Sequence, residues 1–99
     1  MKDHITEIRE IENRYGSILF CMAISHLADV GVRNLTDEYI KDSVKQILAE
    51  HEESKINSGS PIITAEFQCS IIYCAVELAK FSIWDLFYYI KEYVHISKN

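Results

Sequence analysis

The chain has 99 residues, of which 48% are hydrophobic and 25% charged, and its formal net charge is −5. This length suits one helical domain over residues 1–99, long enough to bury a core without disulfides or a structural metal. The acidic balance disfavours direct binding of nucleic acid, which requires a basic face.

The cysteines and the first residues bear on the cellular compartment. Cys21, Cys69 and Cys74 lie inside apolar runs, where a free cysteine behaves as a small hydrophobic side chain. Asp3 and Glu7 fall where the apolar core of a signal peptide would lie. We therefore expect a cytoplasmic protein with reduced thiols.

Residues 3–30 have the pattern of one long amphipathic helix. Their apolar residues recur with a period of about 3.6, and Gly31 is a natural C-terminal stop. Gly16 interrupts the pattern, and a glycine costs a helix about 1 kcal/mol relative to alanine. It indicates a kink, a break, or a close approach by another helix.

Residues 37–53 are predicted to form the second helix. Thr36 is a favourable N-cap, and Asp37 and Glu38 in the first turn complement the helix dipole. The apolar stripe of this helix is narrow, which predicts a peripheral position. The next segment, residues 54–60, reads SKINSGS and is the clearest turn in the chain.

The segment Thr64 to Phe81, TAEFQCSIIYCAVELAKF, is apolar on almost every side at helical spacing. Such a helix must be enclosed by other helices or by lipid, and its polar interruptions argue against a membrane span. Two starts fit, one with Pro61 at the first helical position, which we favour, and one with Thr64 as N-cap; the predicted end is near Lys80. The residues expected in the core are Ile71, Ile72, Ala75 and Leu78.

Ser82 is the predicted N-cap of a further helix that runs to about Ile96. One stripe of this helix contains Ile83, Phe87, Ile90 and Val94, so Trp84, Tyr88 and Tyr89 cannot all share its buried face. Because tyrosine and tryptophan are favoured interface anchors, we expect Trp84, Tyr88 and Tyr89 to bind a partner; the alternative is that these rings pack within the chain against the first helix.

These segments predict an all-α fold, a compact bundle of four helices. The central apolar helix, about residues 61–80, is expected to pack on residues 17–30, because both apolar segments must be buried. A break at Gly16 would make residues 3–15 a fifth helix, folded back over the chain's own core.

A continuous helix over residues 3–30 would instead be about 42 Å long and would overhang the rest of the bundle. The overhang carries an apolar row that is unfavourable in water: Ile5, Ile8, Ile11 and Tyr15. A second copy related by a two-fold axis could cover this row with its own. On this reading the protein is predicted to be a homodimer.

Two further clusters invite a functional interpretation. His26 and the cysteines are candidate metal or small-ligand groups, but Cys21 with His26 and Cys69 with Cys74 are spaced at i and i+5, which points them to different sides of a helix. We therefore expect no metal and no cofactor. At the end of the second helix, Glu50, Glu52 and Glu53 are either a solvated helix end or a docking surface for a basic partner.

No catalytic motif, glycine-rich phosphate loop or paired-carboxylate pattern is present in the sequence. The favoured function is that of a non-enzymatic protein–protein interaction module, a regulator, adaptor or inhibitor that occupies a partner's surface. One alternative is a DNA-associated regulator or a mimic of nucleic-acid charge. Another is a small-ligand or metal sensor centred on His26 and the cysteines.

Overall fold

The computed structural model describes residues 3–57 and 64–94, and only the backbone of residues 54–57. The described residues form five α-helices and one turn of 3₁₀-helix. The helices are α1 (His4–Tyr15), α2 (Ser17–Val30), α3 (Asp37–Asn57), α4 (Ala65–Leu78) and α5 (Ile83–Tyr93), with the 3₁₀ turn at Val32–Asn34. The predicted all-α bundle is confirmed, in its five-helix form.

Gly16 breaks the first predicted helix into α1 and α2, so the prediction of one continuous helix over residues 3–30 is wrong. Its backbone has φ +92° and ψ 150°, a conformation essentially restricted to glycine. The Gly16 N–H closes α1 by donating to the Glu12 carbonyl at 2.7 Å, and the Gly16 carbonyl accepts from the Phe20 N–H at 2.9 Å. One residue therefore ends one helix and starts the next.

Helix α1 lies against its own chain, as the alternative with a break at Gly16 predicted. Ile8 and Ile11 are only 1% and 4% exposed and belong to the core cluster, with Ile5 and Tyr15 packed at its edge. The premise of the dimer prediction, an overhanging helix with this row in water, is therefore wrong. The row is covered within one chain.

Helices α2 and α4 form the central pair, as predicted. From α2 the buried residues are Leu19, Phe20, Ala23, Ile24 and Leu27. From α4 they are Ala65, Ile72, Cys74, Ala75 and Leu78. Ile71 is only half-buried, and Tyr73 and Val76 are exposed. Helix α4 is therefore less completely enclosed by other helices than its apolar sequence predicted.

Helix α4 begins at the alternative start after Thr64, so the favoured start near Pro61 is wrong. Thr64 is the N-cap, and its hydroxyl accepts from the Phe67 N–H at 3.1 Å. Residues 58–63, which include Pro61 itself, lie outside the described residues. The helix ends at Leu78, two residues before the predicted Lys80.

Helix α3 packs on α4 at the periphery, in the position that its narrow apolar stripe predicted. Thr36 caps it by accepting from the Tyr39 N–H at 3.1 Å. The helix continues to Asn57, so the predicted turn over residues 54–60 is wrong for its first four residues. Residues 58–60 of that turn lie outside the described residues.

Helix α5 begins after Ser82, whose hydroxyl accepts from the Trp84 N–H at 3.2 Å. It ends at Tyr93, and the predicted end at Ile96 lies beyond the described residues. Its buried stripe is Leu86 and Tyr89 rather than Ile83 and Phe87. The helix is thus rotated about its axis relative to the prediction. No helix in the described part of the chain combines the length and the apolar character needed to cross a membrane.

Candidate functional site

The largest concentration of exposed aromatic surface lies at the N-terminal end of α5. Because Leu86 and Tyr89 face the core, the opposite side of the helix presents Trp84, Phe87 and Tyr88, which are 75%, 42% and 53% exposed. Trp84 and Phe87 contact each other edge to face, with ring centroids 6.2 Å apart. This pairing is a favourable aromatic geometry.

Beside these rings an apolar groove of about 430 Å³ separates α5 from the end of α2. Ile83 and Phe87 line one side, and Ala28 and Val32 line the other. The remaining lining residues are Leu27, Gly31, Ala79, Phe81 and Ser82. We call this feature the α5 groove; Trp84, which contacts Phe87, lies at its edge.

The rim of the α5 groove opposite Phe87 is formed by Val32, which is 54% exposed. Val32 follows Gly31, whose φ of +86° turns the chain out of α2 and places the 3₁₀ turn beside α5. Apolar surface therefore extends from Val32 across the groove to Trp84. A contiguous apolar surface with aromatic residues at its edge is typical of a protein-binding site.

Tyr89, predicted to be part of an exposed binding patch, lies in the core instead and is 1% exposed. Its ring contacts Phe20 edge to face, and its hydroxyl donates to Glu12 Oε1 at 2.6 Å. Burial, together with the bond to Glu12, raises the pKa of Tyr89 to about 12. Of the three predicted aromatic residues, the structure therefore brings only Trp84 and Tyr88 to the surface.

The sequence pattern did not reveal Phe87 and Val32 as surface residues. Phe87 was assigned to the buried stripe, because positions 83, 87, 90 and 94 are as apolar as positions 86, 89, 90 and 93. The packing of α1 decides between these stripes: Glu12 bonds the Tyr89 hydroxyl, and the Arg9 guanidinium lies 5.2 Å from the centre of the Tyr93 ring. For Val32, the available signal was an apolar residue between the predicted helix stop at Gly31 and the predicted N-cap at Thr36.

A polar cluster joins the end of α1 to α4. Arg14 Nη1 lies 2.6 Å from Glu77 Oε1, and the Tyr15 hydroxyl donates to Glu77 Oε2. Burial alone would raise the pKa of Glu77, but the hydrogen bonds from Tyr15 and Arg14 outweigh burial and lower it. Burial and the bond to Glu77 raise the pKa of Tyr15 to about 12. Each group is satisfied by the others, as expected of a structural contact.

The acidic residues at the end of α3 are on the surface. Glu50, Glu52 and Glu53 are all exposed, and Glu50 Oε1 accepts from Gln46 Nε2 at 3.2 Å. They lie on a helix other than the one that carries Trp84 and Tyr88. The predicted acidic surface and the predicted aromatic surface therefore belong to separate elements.

His26 is half-buried, and its Nε2 lies 3.2 Å from the hydroxyl of Tyr39 on α3. It borders a shallow depression with Met22, Ser25, Asp29 and Ile71. This bond gives His26 a hydrogen-bond partner and joins α3 to α2. It contributes to packing between helices, as a buried polar contact commonly does.

The three cysteines are free thiols. Burial, with a smaller effect of Glu77, raises the pKa of Cys74 to about 12, and burial also raises the pKa of Cys21. A raised pKa keeps a thiol protonated and poorly nucleophilic at neutral pH. Within residues 3–57 and 64–94, no group of three or more His, Cys, Asp or Glu side chains is arranged to hold a metal ion.

Comparisons with protein-family models, with curated proteins and with solved structures found no match to this chain.

Proposed function

We propose that this protein is a non-enzymatic protein–protein interaction module, and that the α5 groove is its partner-binding surface. The observation that carries the proposal is Trp84, three-quarters exposed and in contact with Phe87 at the edge of an apolar groove. Leaving a tryptophan in water forgoes much of the free energy that its burial would contribute. Tryptophan is also the residue type most enriched among binding hot spots.

The groove suits an apolar side chain of a partner. Its walls are aliphatic and aromatic, and its volume of about 430 Å³ lies within the range of preformed pockets. A partner residue that enters it would contact Ile83 and Phe87 on one side and Val32 on the other. Trp84, in contact with Phe87, would then cover the contact from the edge and exclude water.

The test uses substitutions that leave the core untouched. Trp84→Ser and Phe87→Ser remove apolar surface from the groove, and Tyr73→Ser is the matched control, an aromatic residue on α4 that is also about half exposed, at 48%. All three variants are expected to keep the wild-type unfolding midpoint, because exposed substitutions rarely change stability much. Partner capture from the native host, read by quantitative mass spectrometry, should fall at least tenfold for the two groove variants alone.

Equal capture by all variants would contradict the assignment of the groove. A loss that appears equally with Tyr73→Ser would show that the capture was non-specific. A photo-crosslinking residue in place of Tyr88 then identifies the partner directly, with the same residue in place of Tyr73 as its control.

A second candidate surface is the acidic face of α3, which would bind a basic partner or imitate nucleic-acid charge. Its supporting observation is that all six acidic residues on the described part of α3 are exposed: Asp37, Glu38, Asp42, Glu50, Glu52 and Glu53. Salt separates the two candidates, since surface electrostatic binding weakens as ionic strength rises and apolar binding does not. Glu50→Gln with Glu53→Gln should reduce capture only if the acidic face is used.

We also propose a cytoplasmic location. Its support is that Cys21, Cys69 and Cys74 are all free thiols, which are maintained in a reducing compartment.

A further inference from the structure

The connection between α1 and α2 consists of a single residue, Gly16. Its φ of +92° with ψ of 150° is available to glycine and strongly unfavourable for other residues. A methyl group added at Gly16 would meet no atom within 4 Å. Backbone conformation, and not side-chain crowding, therefore makes glycine necessary for the bend.

The contacts that hold α1 in place are made almost entirely with residues beyond this bend. Ile8 and Ile11 enter the core, Glu12 accepts from Tyr89 on α5, and Arg14 pairs with Glu77 on α4. An α1 from a second copy, entering with the same orientation, would make these same contacts. The binding site for α1 does not distinguish the chain's own helix from an identical one.

One side-chain bond does depend on the bend. The Ser17 hydroxyl donates to Glu12 Oε2 at 2.7 Å across Gly16. Residues five positions apart lie on different sides of a straight helix, so straightening would break this bond. The bent state is thus maintained locally by the conformation of Gly16 and by the Ser17–Glu12 bond.

We propose that α1 is an exchangeable arm hinged at Gly16, and that its alternative partner is a second copy of this chain. If Gly16 becomes helical, residues 4–30 form one helix about 40 Å long, which carries α1 away from its own core. The vacated site then accepts α1 of the second copy. The first chain's α1 enters the corresponding site of that copy, and the result is a symmetric, domain-swapped dimer. A homodimer that uses the Ile8–Ile11 row requires this exchange, because the row is buried within the closed chain.

The test replaces Gly16 with alanine, which disfavours the bend and favours a continuous helix. Exchange is detected with a cysteine pair, His4→Cys and Asp85→Cys, on α1 and α5. Both side chains are exposed, and in the closed chain His4 Nδ1 lies 3.8 Å from Asp85 Oδ2. Neither residue takes part in the contacts of Glu12 or Glu77. The background carries Cys21→Ser, Cys69→Ser and Cys74→Ala, and a short bismaleimide bridges the introduced pair.

In the closed protein this cross-link joins two positions of one chain, and a denaturing gel shows monomers. In the exchanged dimer it joins two chains. We expect Gly16→Ala to double the mass measured by light scattering and to convert most of the cross-linked product to covalent dimer. A Gly16→Ala protein that stays monomeric, or that dimerises with cross-links confined to single chains, would overturn the proposal.

Two controls isolate the hinge. Gly31→Ala imposes a similar backbone penalty, since Gly31 has φ +86° and ψ 140°, but residues 32–36 follow it and can absorb the change. It should leave the cross-link within one chain. Inserting four Gly and Ser residues after position 16 of the Gly16→Ala chain should let α1 fold back and restore the intrachain product.

If circular dichroism shows that Gly16→Ala does not fold, the chain with Gly16 and the cysteine pair is refolded from denaturant over a range of concentrations. Interchain cross-links that increase with protein concentration support the exchange. Cross-links that remain within single chains at every concentration overturn it.

Discussion

The hydroxyl of Tyr89 donates a hydrogen bond to Glu12 Oε1 at 2.6 Å, between two residues 77 positions apart in the chain. This bond joins the last helix to the first. The other oxygen of the same carboxylate accepts from Ser17 at 2.7 Å, on the far side of the Gly16 bend. Glu12 therefore connects α1, α2 and α5.

Tyr89→Phe is expected to lower the free energy of unfolding by about 1.5–3 kcal/mol, the usual range for a hydrogen bond to a charged group. The ring remains in place, so the loss reports the hydroxyl alone. Tyr88→Phe makes the same chemical change at the neighbouring, exposed position and should have almost no effect. Urea denaturation measures both; equal stability of the two variants would show that the Tyr89–Glu12 bond adds nothing.

Alkaline pH should weaken the fold through the phenol groups of Tyr15, which is partly buried, and Tyr89, which is buried. The pKa values of Tyr15 and Tyr89 are raised from 10.0 to about 12 in the folded protein. The folded state thus holds these protons more tightly than the unfolded state, and stability falls as the pH rises from about 10 to 12. The double variant Tyr15→Phe with Tyr89→Phe should show a shallower fall in the urea midpoint over this range. If the urea midpoints of the wild type and the double variant fell in parallel with rising pH, the two tyrosines would not be the cause of the alkaline loss of stability.

Acid should lower the stability of the fold by protonating Glu77. Its pKa is lowered below the usual 4.5 despite burial, because Tyr15 and Arg14 stabilise the carboxylate. The sign is opposite to that of the tyrosines: the contribution is present above pH 4.5 and is lost as the pH falls through the folded-state pKa. Glu77→Gln should be less stable than the wild type at neutral pH, and the difference should shrink in acid. A difference that is constant from neutral pH down to pH 3 would exclude this role for Glu77, and Glu66→Gln on the exposed face of α4 is the control.

Local features of the fold could be predicted from the sequence. Thr36, Thr64 and Ser82 each cap a helix through the hydroxyl. Thr36 and Ser82 were identified as caps by their residue type, and Thr64 was the less favoured of two predicted starts. The pairing of α2 with α4 also followed from composition, since two strongly apolar segments must cover each other.

The conformation at Gly16 and the rotation of α5 could not be predicted, because both depend on contacts between distant parts of the chain. A glycine allows a bend but does not require one, and the bend here is accompanied by α1 docking on residues as distant in the chain as Tyr93, which the Arg9 guanidinium contacts. The α5 groove is harder still to foresee. Its lining combines the end of α2, the 3₁₀ turn and the first turns of α5, which no local pattern relates.

Two neighbouring isoleucines of the central helix α4 differ in burial. Ile72 is 4% exposed, whereas Ile71 is half-buried; Ile71 packs at the edge of the core cluster and borders the depression beside His26. Truncating a buried isoleucine removes its transfer free energy and leaves a cavity, so Ile72→Ala should cost about 2–5 kcal/mol. Ile71→Ala, the same chemical change one residue earlier, should cost markedly less, because water can occupy the vacated space. Denaturant titration measures the free energy of unfolding of both variants, and the comparison requires that this free energy depends on denaturant concentration with the same slope in each. An equal cost at both positions, or a larger cost at Ile71, would contradict the difference in burial between the two side chains.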